Sequence, residues 1–288
     1  MSSLEGVPQR SRGRRKLGDR LVRVIAWAAA SVGIGAMVWI IVEVVRRGAG
    51  AWNWDFFSKM PTAAGAPGGG ILNAIVGTLL ITGIAALMGI PAGFFAGVYL
   101  AEYGRNGRVA STIRLIGNVM MGVPSIIVGV FAYAVVVAPM GHFSAFAGGV
   151  ALAIIMLPVM ARTSEDILNL VPNELRESAL AMGASRWRAT LGVVVRAARG
   201  GLLTAGILAV VRVSGETAPL LLTVLNNNFW SSDIGRPMAN MTVTIYQYAN
   251  TPYADLQQKA WGASLLIIVG VLGANLLVRL IMQRGKEW

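Results

Sequence analysis

The sequence predicts an all-α, polytopic membrane protein with six transmembrane helices. Three observations carry that expectation. Hydrophobic residues make up 55% of the chain and charged residues only 13%, where a soluble domain carries roughly 25% charged residues. The apolar residues gather into long uncharged runs, most clearly 24–42 and 71–101, and about 20 such residues suffice for a helix to cross a bilayer. The 25 Lys and Arg residues lie at the ends of these runs, with Arg212 the exception.

The first run, 22–45, follows a basic tail at residues 1–20, "RSRGRRKLGDR" at its core. Its 19 uncharged residues from Val24 to Val42 fit a retained transmembrane helix better than a cleaved leader. Glu43 precedes Arg46 and Arg47 by three and four residues, the spacing of helix-end ion pairs. The second run, 71–101, is uncharged throughout and reads as one long, tilted helix, bent at Pro91. Gly89, Gly93 and Gly97 fall four apart, giving it one smooth face for close packing. Runs three to six lie near 115–138, 144–164, 201–225 and 260–282.

Orientation follows from the basic residues. Nineteen Lys and Arg lie on the side that holds the tail, the 102–114 and 161–200 loops and the C-terminal end. Five lie opposite: Arg46, Arg47, Lys59, Arg236 and Lys259. Both termini are therefore expected in the cytosol, as an even number of spans requires. The opposite loops, "GAWNWDFFSKM" and "NNNFWSSDIGRPM", are rich in aromatics and Asn. They read as interfacial belts or as a surface for an external partner. Arg162, Glu165 and Asp166 are expected where the fourth helix leaves the membrane.

The composition also excludes chemistry. With no cysteine and one histidine, His142, there is no disulfide, no thiolate site and little basis for a zinc or Ser–His–Asp centre. The net charge of +12 sits at membrane-run ends, which points to lipid and topology rather than nucleic acid. No GxxxxGK[ST] segment is present, so nucleotide chemistry is expected elsewhere.

Within the 161–200 loop, "VPNELRESALAMGAS" has Pro172 at a helix start and Gly183 at its end. Leu175, Ala179 and Met182 form one apolar stripe, with Glu174, Arg176 and Glu177 facing elsewhere. This short helix either lies on the membrane, anchored by Trp187, or docks into a cytosolic partner. A second unusual segment is "RVSGETAPLLL", where Arg212 and Glu216 stand four apart in an otherwise apolar run. As one helix, they share a face. Either they neutralise one another, or Arg212 offers a donor fork to a passing oxyanion that Glu216 holds in place. Gly215 and Pro219 are positioned to bend that helix.

"ESALAMGASRWRATLGVVV" resembles the EAA loop of ABC-importer permeases, with Glu177, Ser178, Ala179 and Gly183 on the signature positions. Ser178 stands where alanine is usual, and Val195 and Arg196 stand where Leu-Pro is usual. "GGGILNAIVGTLL", "PAGFFAGVYLAEYG", "GVPSIIVG", "SGETAPLLLT" and "IYQYANTPYADLQQKAWGASL" look like the PstA-type permease subunits of phosphate importers. The resemblance implies a MetI-like type I importer fold, in which 21–67 is a first helix and external loop. Residues 68–283 are then the permease core, with a coupling loop at 165–199. It implies a non-catalytic subunit of the bacterial inner membrane that moves inorganic phosphate. Its implied partners are a related C-type permease, two copies of a cytosolic ATPase and an external phosphate-binding protein. ATP and Mg would be used by the ATPase, with no cofactor on this chain. Leu175, Glu177, Ser178, Ala179, Met182 and Gly183 would then contact the ATPase.

Three other functions stay in view. An importer for sulfate or molybdate has the same architecture. An ion-coupled secondary transporter predicts repeats and several midplane carboxylates, which the sequence lacks. A membrane scaffold leaves Arg212 and Glu216 without a purpose.

Overall fold

The structure, a computed structural model, describes residues 12–66, 68–104 and 107–284. Residues 1–11 of the basic tail, Arg105 and Lys286 lie outside them. The long helices are α1 (Arg12–Gly48), α3 (Leu72–Tyr103), α6 (Ala145–Asn169), α8 (Arg186–Ser214) and α11 (Ala254–Arg284). Shorter ones are α2 (Trp54–Ser58), α4 (Arg108–Gly122), α5 (Ser125–Met140), α7 (Asn173–Ala181), α9 (Ala218–Leu221) and α10 (Met241–Ala249).

Five of these helices are long and apolar enough to cross a membrane, and α4 with α5 makes a sixth if the two count as one span. That third run, expected near 115–138 as one span, is bent by 105° between Gly122 and Ser125. Pro124 is the cause. It forces Val123 into an extended conformation (φ −71°, ψ 130°) that ends α4.

The second run is one continuous helix containing Pro91, as its uninterrupted apolarity predicts. Its glycine face lies against α6. A Cβ at Gly93 would stand 2.7 Å from Met160 Cβ, and one at Gly97 2.5 Å from Ser164 Cβ. The absent side chains let the two backbones approach closely, and this pair forms the spine of the molecule.

Three apolar clusters follow the spine. The central one gathers Ile81 and Ala85 of α3, Leu152 and Met156 of α6, Val213 of α8, and Leu220, Val224, Met238 and Val243 beyond it. A second, at the α10 end, packs Phe56, Ile71, Tyr248, Leu256 and Ala260. A third, at the α7 end, packs Val98, Leu168, Val171, Val194 and Leu202.

Among the described residues α1 joins through its last turns, where Gly48 abuts the Trp261 carbonyl and the Arg47 guanidinium lies 5.1 Å from the Trp261 ring centre. Glu43 pairs with Arg46 at 3.0 Å and also with Arg47, as their spacing predicts. Trp27, Val32 and Trp39 project outward from α1. Such a face suits hydrocarbon and would be untenable in water.

The expected 161–200 loop and fifth run need correction. α6 continues to Asn169, so Arg162, Glu165 and Asp166 lie in its last turns and not in a loop. α8 begins earlier than expected, at Arg186, and stops at Ser214 instead of running to residue 225. Pro219 has no N–H for the Gly215 carbonyl and its ring crowds it, which weakens a helix there. Pro91 is carried inside α3, whereas here the chain also has Gly215, the cap at which α8 ends. "PLLLTVL" is apolar because it is buried in the central cluster as a single turn plus loop, not because it spans lipid.

Candidate functional site

Two regions of the chain hold the residues singled out by sequence. The first is the corner formed by α7 and the ends of α3, α6 and α8. Pro172 precedes α7, and Gly183 follows it in the left-handed conformation (φ +83°). The Gly183 N–H donates to the Leu180 carbonyl at 2.9 Å and the Ala184 N–H to the Ala179 carbonyl at 3.2 Å. This paired return of the chain closes the helix and suits glycine. The helix is a little shorter than 172–183, and its end falls where the sequence places it.

Leu175 and Met182 of the stripe are exposed, as are Leu180, Glu177 and Ser178, while Ala179 is half-buried. The stripe therefore points outward. Arg176, expected off the apolar stripe with Glu174 and Glu177, points inward, with its side chain only 11% exposed. It meets Glu102 of α3, Nη2 to Oε1 at 2.7 Å. Nη2 also donates to the Leu168 carbonyl at 2.7 Å, and Nη1 donates to the Val171 carbonyl. Those carbonyls belong to the C-terminal turns of α6 and the residues after it, where no further helical N–H follows. Arginine can satisfy several such oxygens with one planar fork.

A neighbouring ion pair braces the same corner. Arg114 Nε lies 2.7 Å from Glu165 Oε1, and its Nη2 donates to the Leu100 carbonyl at 3.0 Å. Arg162 Nη1 approaches the other Glu165 oxygen at 3.8 Å. Glu102, Arg114 and Glu165 were missed or misread as site residues. Their partners lie far away in sequence, and no local pattern reveals them. Between α7, α3 and α8 lies a cleft of about 270 Å³ lined by Glu102, Arg176, Glu177, Leu180, Arg186 and Thr190. Trp187 stands exposed beside it.

The second region surrounds the break after α8. Arg212 occupies the last turn and is exposed, while Glu216 lies beyond the Gly215 cap and is half-buried. The two do not share a helix face, and no ion pair joins them among the described residues. The expected bend is thus a full termination. Its freed groups are partly met locally: the Glu216 N–H donates to the Val213 carbonyl at 3.1 Å. The Thr242 hydroxyl donates to the Glu216 carbonyl at 2.9 Å.

Around the break lies a polar cluster that sequence reading missed. Thr78, Thr82, Ser214, Asn240 and Thr242 line a small cavity of about 10 Å³ together with Leu152. Asn240 caps α10 by accepting from the Val243 N–H at 2.9 Å, and the Met241 N–H donates to Thr78 Oγ1 at 2.8 Å. Leu152 lies seven residues into α6 from Ala145, about 10 Å along the axis at 1.5 Å per residue. The break, and Arg212 in the turn that ends at it, therefore sit at an interior depth of the bundle.

Comparison with known proteins gives the chain its relatives. A family model described as "Binding-protein-dependent transport system inner membrane component" matches residues 89–286. Proteins named "Phosphate transport system permease protein PstA" are similar over nearly the whole chain. That of Yersinia pestis is 42% identical over 95% of this chain and 92% of its own length. That of Haemophilus influenzae is 42% identical over 94% and 96%. A protein named PstA 1 from Mycobacterium tuberculosis is 33% identical over 95% and 91%. Among solved structures, an inward-facing form of the MetNI methionine ABC transporter superposes with a TM-score of 0.63 at 21% identity, covering 74% of this chain and 95% of that one. An amino acid ABC transporter solved with histidines gives 0.55 at 19% identity, over 74% and 92%. These two likenesses concern the fold. The chain belongs to the family of binding-protein-dependent transport system inner membrane components.

Proposed function

We propose that this chain is a permease subunit of an ATP-driven importer of inorganic phosphate. The observation that carries the reading is similarity along nearly the full length, 42% identity over 95% of the chain, to proteins named as phosphate permeases. The chain is a multi-pass membrane protein. In this reading both termini face the cytosol, consistent with the excess of Lys and Arg on that side.

The subunit pairs with a related C-type permease, receives phosphate from an external binding protein and rests on two copies of a cytosolic ATPase. ATP and Mg are used on the ATPase, and this chain performs no covalent chemistry. α7 is the element that meets the ATPase. Its exposed Leu175, Leu180 and Met182 supply the apolar contact, Glu177, Ser178 and Ala179 its flank, and Gly183 its turn.

Arg212 is the pathway residue of this reading. A charge inside the hydrocarbon region is costly, by about 2.5–3.5 kcal/mol on insertion scales. An exposed arginine at interior depth therefore calls for water, substrate or a protein neighbour rather than lipid. Guanidinium suits a phosphate oxyanion by shape and by permanent charge. Glu216 stands four residues on, past the end of α8, with its carbonyl held by the Thr242 hydroxyl, where it limits how tightly an anion is held.

The test is purification of the complex followed by uptake of labelled phosphate into proteoliposomes. Co-purification of an ATPase and a second permease, with uptake that requires hydrolysable ATP, is expected. Uptake of sulfate or molybdate but not phosphate would replace the substrate. Uptake driven by an ion gradient without ATP would remove the reading altogether.

A further inference from the structure

α7 raises a mechanical question. It is nine residues long, none of them buried. A helix of that length is marginal in water by itself. Its larger apolar side chains, Leu175 and Leu180, and Met182 just after it are exposed, with Leu180 at the edge of the cleft that faces α3 and α8. The helix packs against the Thr190–Val194 stretch of α8, and one largely buried side chain ties it to α3 and α6.

That side chain is Arg176. Its Nε and Nη2 both donate to Glu102 Oε1, at 2.9 and 2.7 Å. The same Nη2 reaches the Leu168 carbonyl at 2.7 Å, and Nη1 reaches the Val171 carbonyl. One guanidinium thus ties α7 to the last turn of α3 and to the C-terminal end of α6. The negative ends of helix dipoles favour a cation at this place. The Glu102 side chain is 9% exposed, so the pair is shielded from competing water.

We propose that Arg176 is a positioning residue for transport: it makes α7, α3 and α6 move as one body, so that displacement of α7 is delivered to the membrane helices. This rests on the reading that α7 is where the ATPase docks. The route onward is continuous. α3 and α6 are locked together along the glycine face at Gly89, Gly93 and Gly97. Further along, α3 carries Thr78 and Thr82 into the polar cluster beside the α8 break. Thr78 accepts from the Met241 N–H, and Thr242 of the same helix holds the Glu216 carbonyl. A shift of α7 therefore arrives where Arg212 and Glu216 stand. The connection between α6 and α7 is short, residues 170–172, and Arg176 braces it as well by holding its Val171 carbonyl.

The proposal is tested in the complete transporter reconstituted in proteoliposomes, with Glu102→Gln and Arg176→Lys. Glu102→Gln keeps the shape and removes the charge. Arg176→Lys keeps the charge and loses the fork. Three quantities are read: ATPase retained with the complex, ATP hydrolysis stimulated by the phosphate-loaded binding protein, and phosphate taken up per ATP hydrolysed. The expected result is retained ATPase and retained hydrolysis, with uptake per ATP falling severalfold in both variants. Unchanged uptake per ATP in both would overturn the proposal. Loss of the ATPase from otherwise assembled variants would overturn it too, because Arg176 would then only shape the docking surface. If the unaltered complex holds no ATPase at α7, as judged by cross-linking from residue 182, the docking reading itself fails.

Discussion

Arg114 and Glu165, on helices α4 and α6, meet at 2.7 Å with the glutamate side chain only 5% exposed. The guanidinium also holds the Leu100 carbonyl at the end of α3, so three helices converge on one pair. Desolvating both charges is expensive, and such a pair adds little net stability compared with well-packed apolar residues. Breaking it is another matter. Arg114→Met leaves Glu165 buried without its main partner and is expected to destabilise by about 3–5 kcal/mol. The double variant Arg114→Met, Glu165→Met should recover most of that loss. Thermal unfolding of the detergent-solubilised complex reads both. A double variant no better than the single one would show that the pair is not the source of the effect.

The α3–α6 spine gives a steric prediction. In Gly93→Leu the new Cβ would meet the Leu157 carbonyl oxygen at 2.8 Å, and backbone cannot step aside. Overpacking of this kind costs about 1–3 kcal/mol. Gly83→Leu, on the same helix but with open space around its Cβ, is the matched control. The first should lower the unfolding temperature of the purified protein and the second should leave it near the parent value. Equal effects would mean that the close approach at Gly93 is not a stabilising contact.

Gly183 tests backbone conformation alone, since no atom lies within 4 Å of its missing Cβ. Its φ of +83° costs an L-residue roughly 1–2 kcal/mol. Asparagine tolerates this region better than β-branched residues do. Gly183→Val is therefore expected to insert normally but bind the ATPase about 5- to 30-fold more weakly, with Gly183→Asn in between. Equal affinity of all three in a pull-down titration would separate the turn from ATPase docking.

The absence of native cysteine allows topology to be read directly. Single cysteines at Ser232 and Ser185 lie on opposite ends of the bundle. In intact cells the first should react with an impermeant thiol reagent, and the second only after the membrane is opened. The reverse pattern would invert the orientation.

Much of this molecule was legible from local chemistry. The uncharged stretch after Ile71 specified one long helix, its glycine spacing specified the packing face, and Gly183 marked its own turn. The misreadings share a cause. Apolar character reports removal from water, and it does not say whether the backbone is helical. "PLLLTVL" therefore looked like membrane helix when it is a buried turn and loop, although Gly215 with Pro219 was a signal that α8 could stop there. Pro124 carried the same signal for the bend between α4 and α5. Arg176 was grouped with Glu174 and Glu177 because helical periodicity sorts polar residues from apolar ones, and that does not say which of them is buried. Its partner Glu102 lies on a different helix, and one sequence gives no means of pairing them.

The break at Ser214 changes what Arg212 is expected to do. In a continuous helix Arg212 and Glu216 would face one another, and their charges could simply cancel. The helix ends between them, Arg212 stays exposed at interior depth, and the Glu216 carbonyl is held by Thr242. Arg212→Gln should therefore assemble with its partners yet lose phosphate uptake by about tenfold or more, as removal of a charge-assisted hydrogen bond worth about 1.5–3 kcal/mol implies. Glu216→Gln should affect uptake less and mainly alter release, because its backbone anchor is untouched. Exchange of the two charges, Arg212→Glu with Glu216→Arg, should not restore transport. Recovery in that exchanged variant would show an ion pair that forms in another state of the transporter, and normal uptake in Arg212→Gln would remove the residue from the pathway.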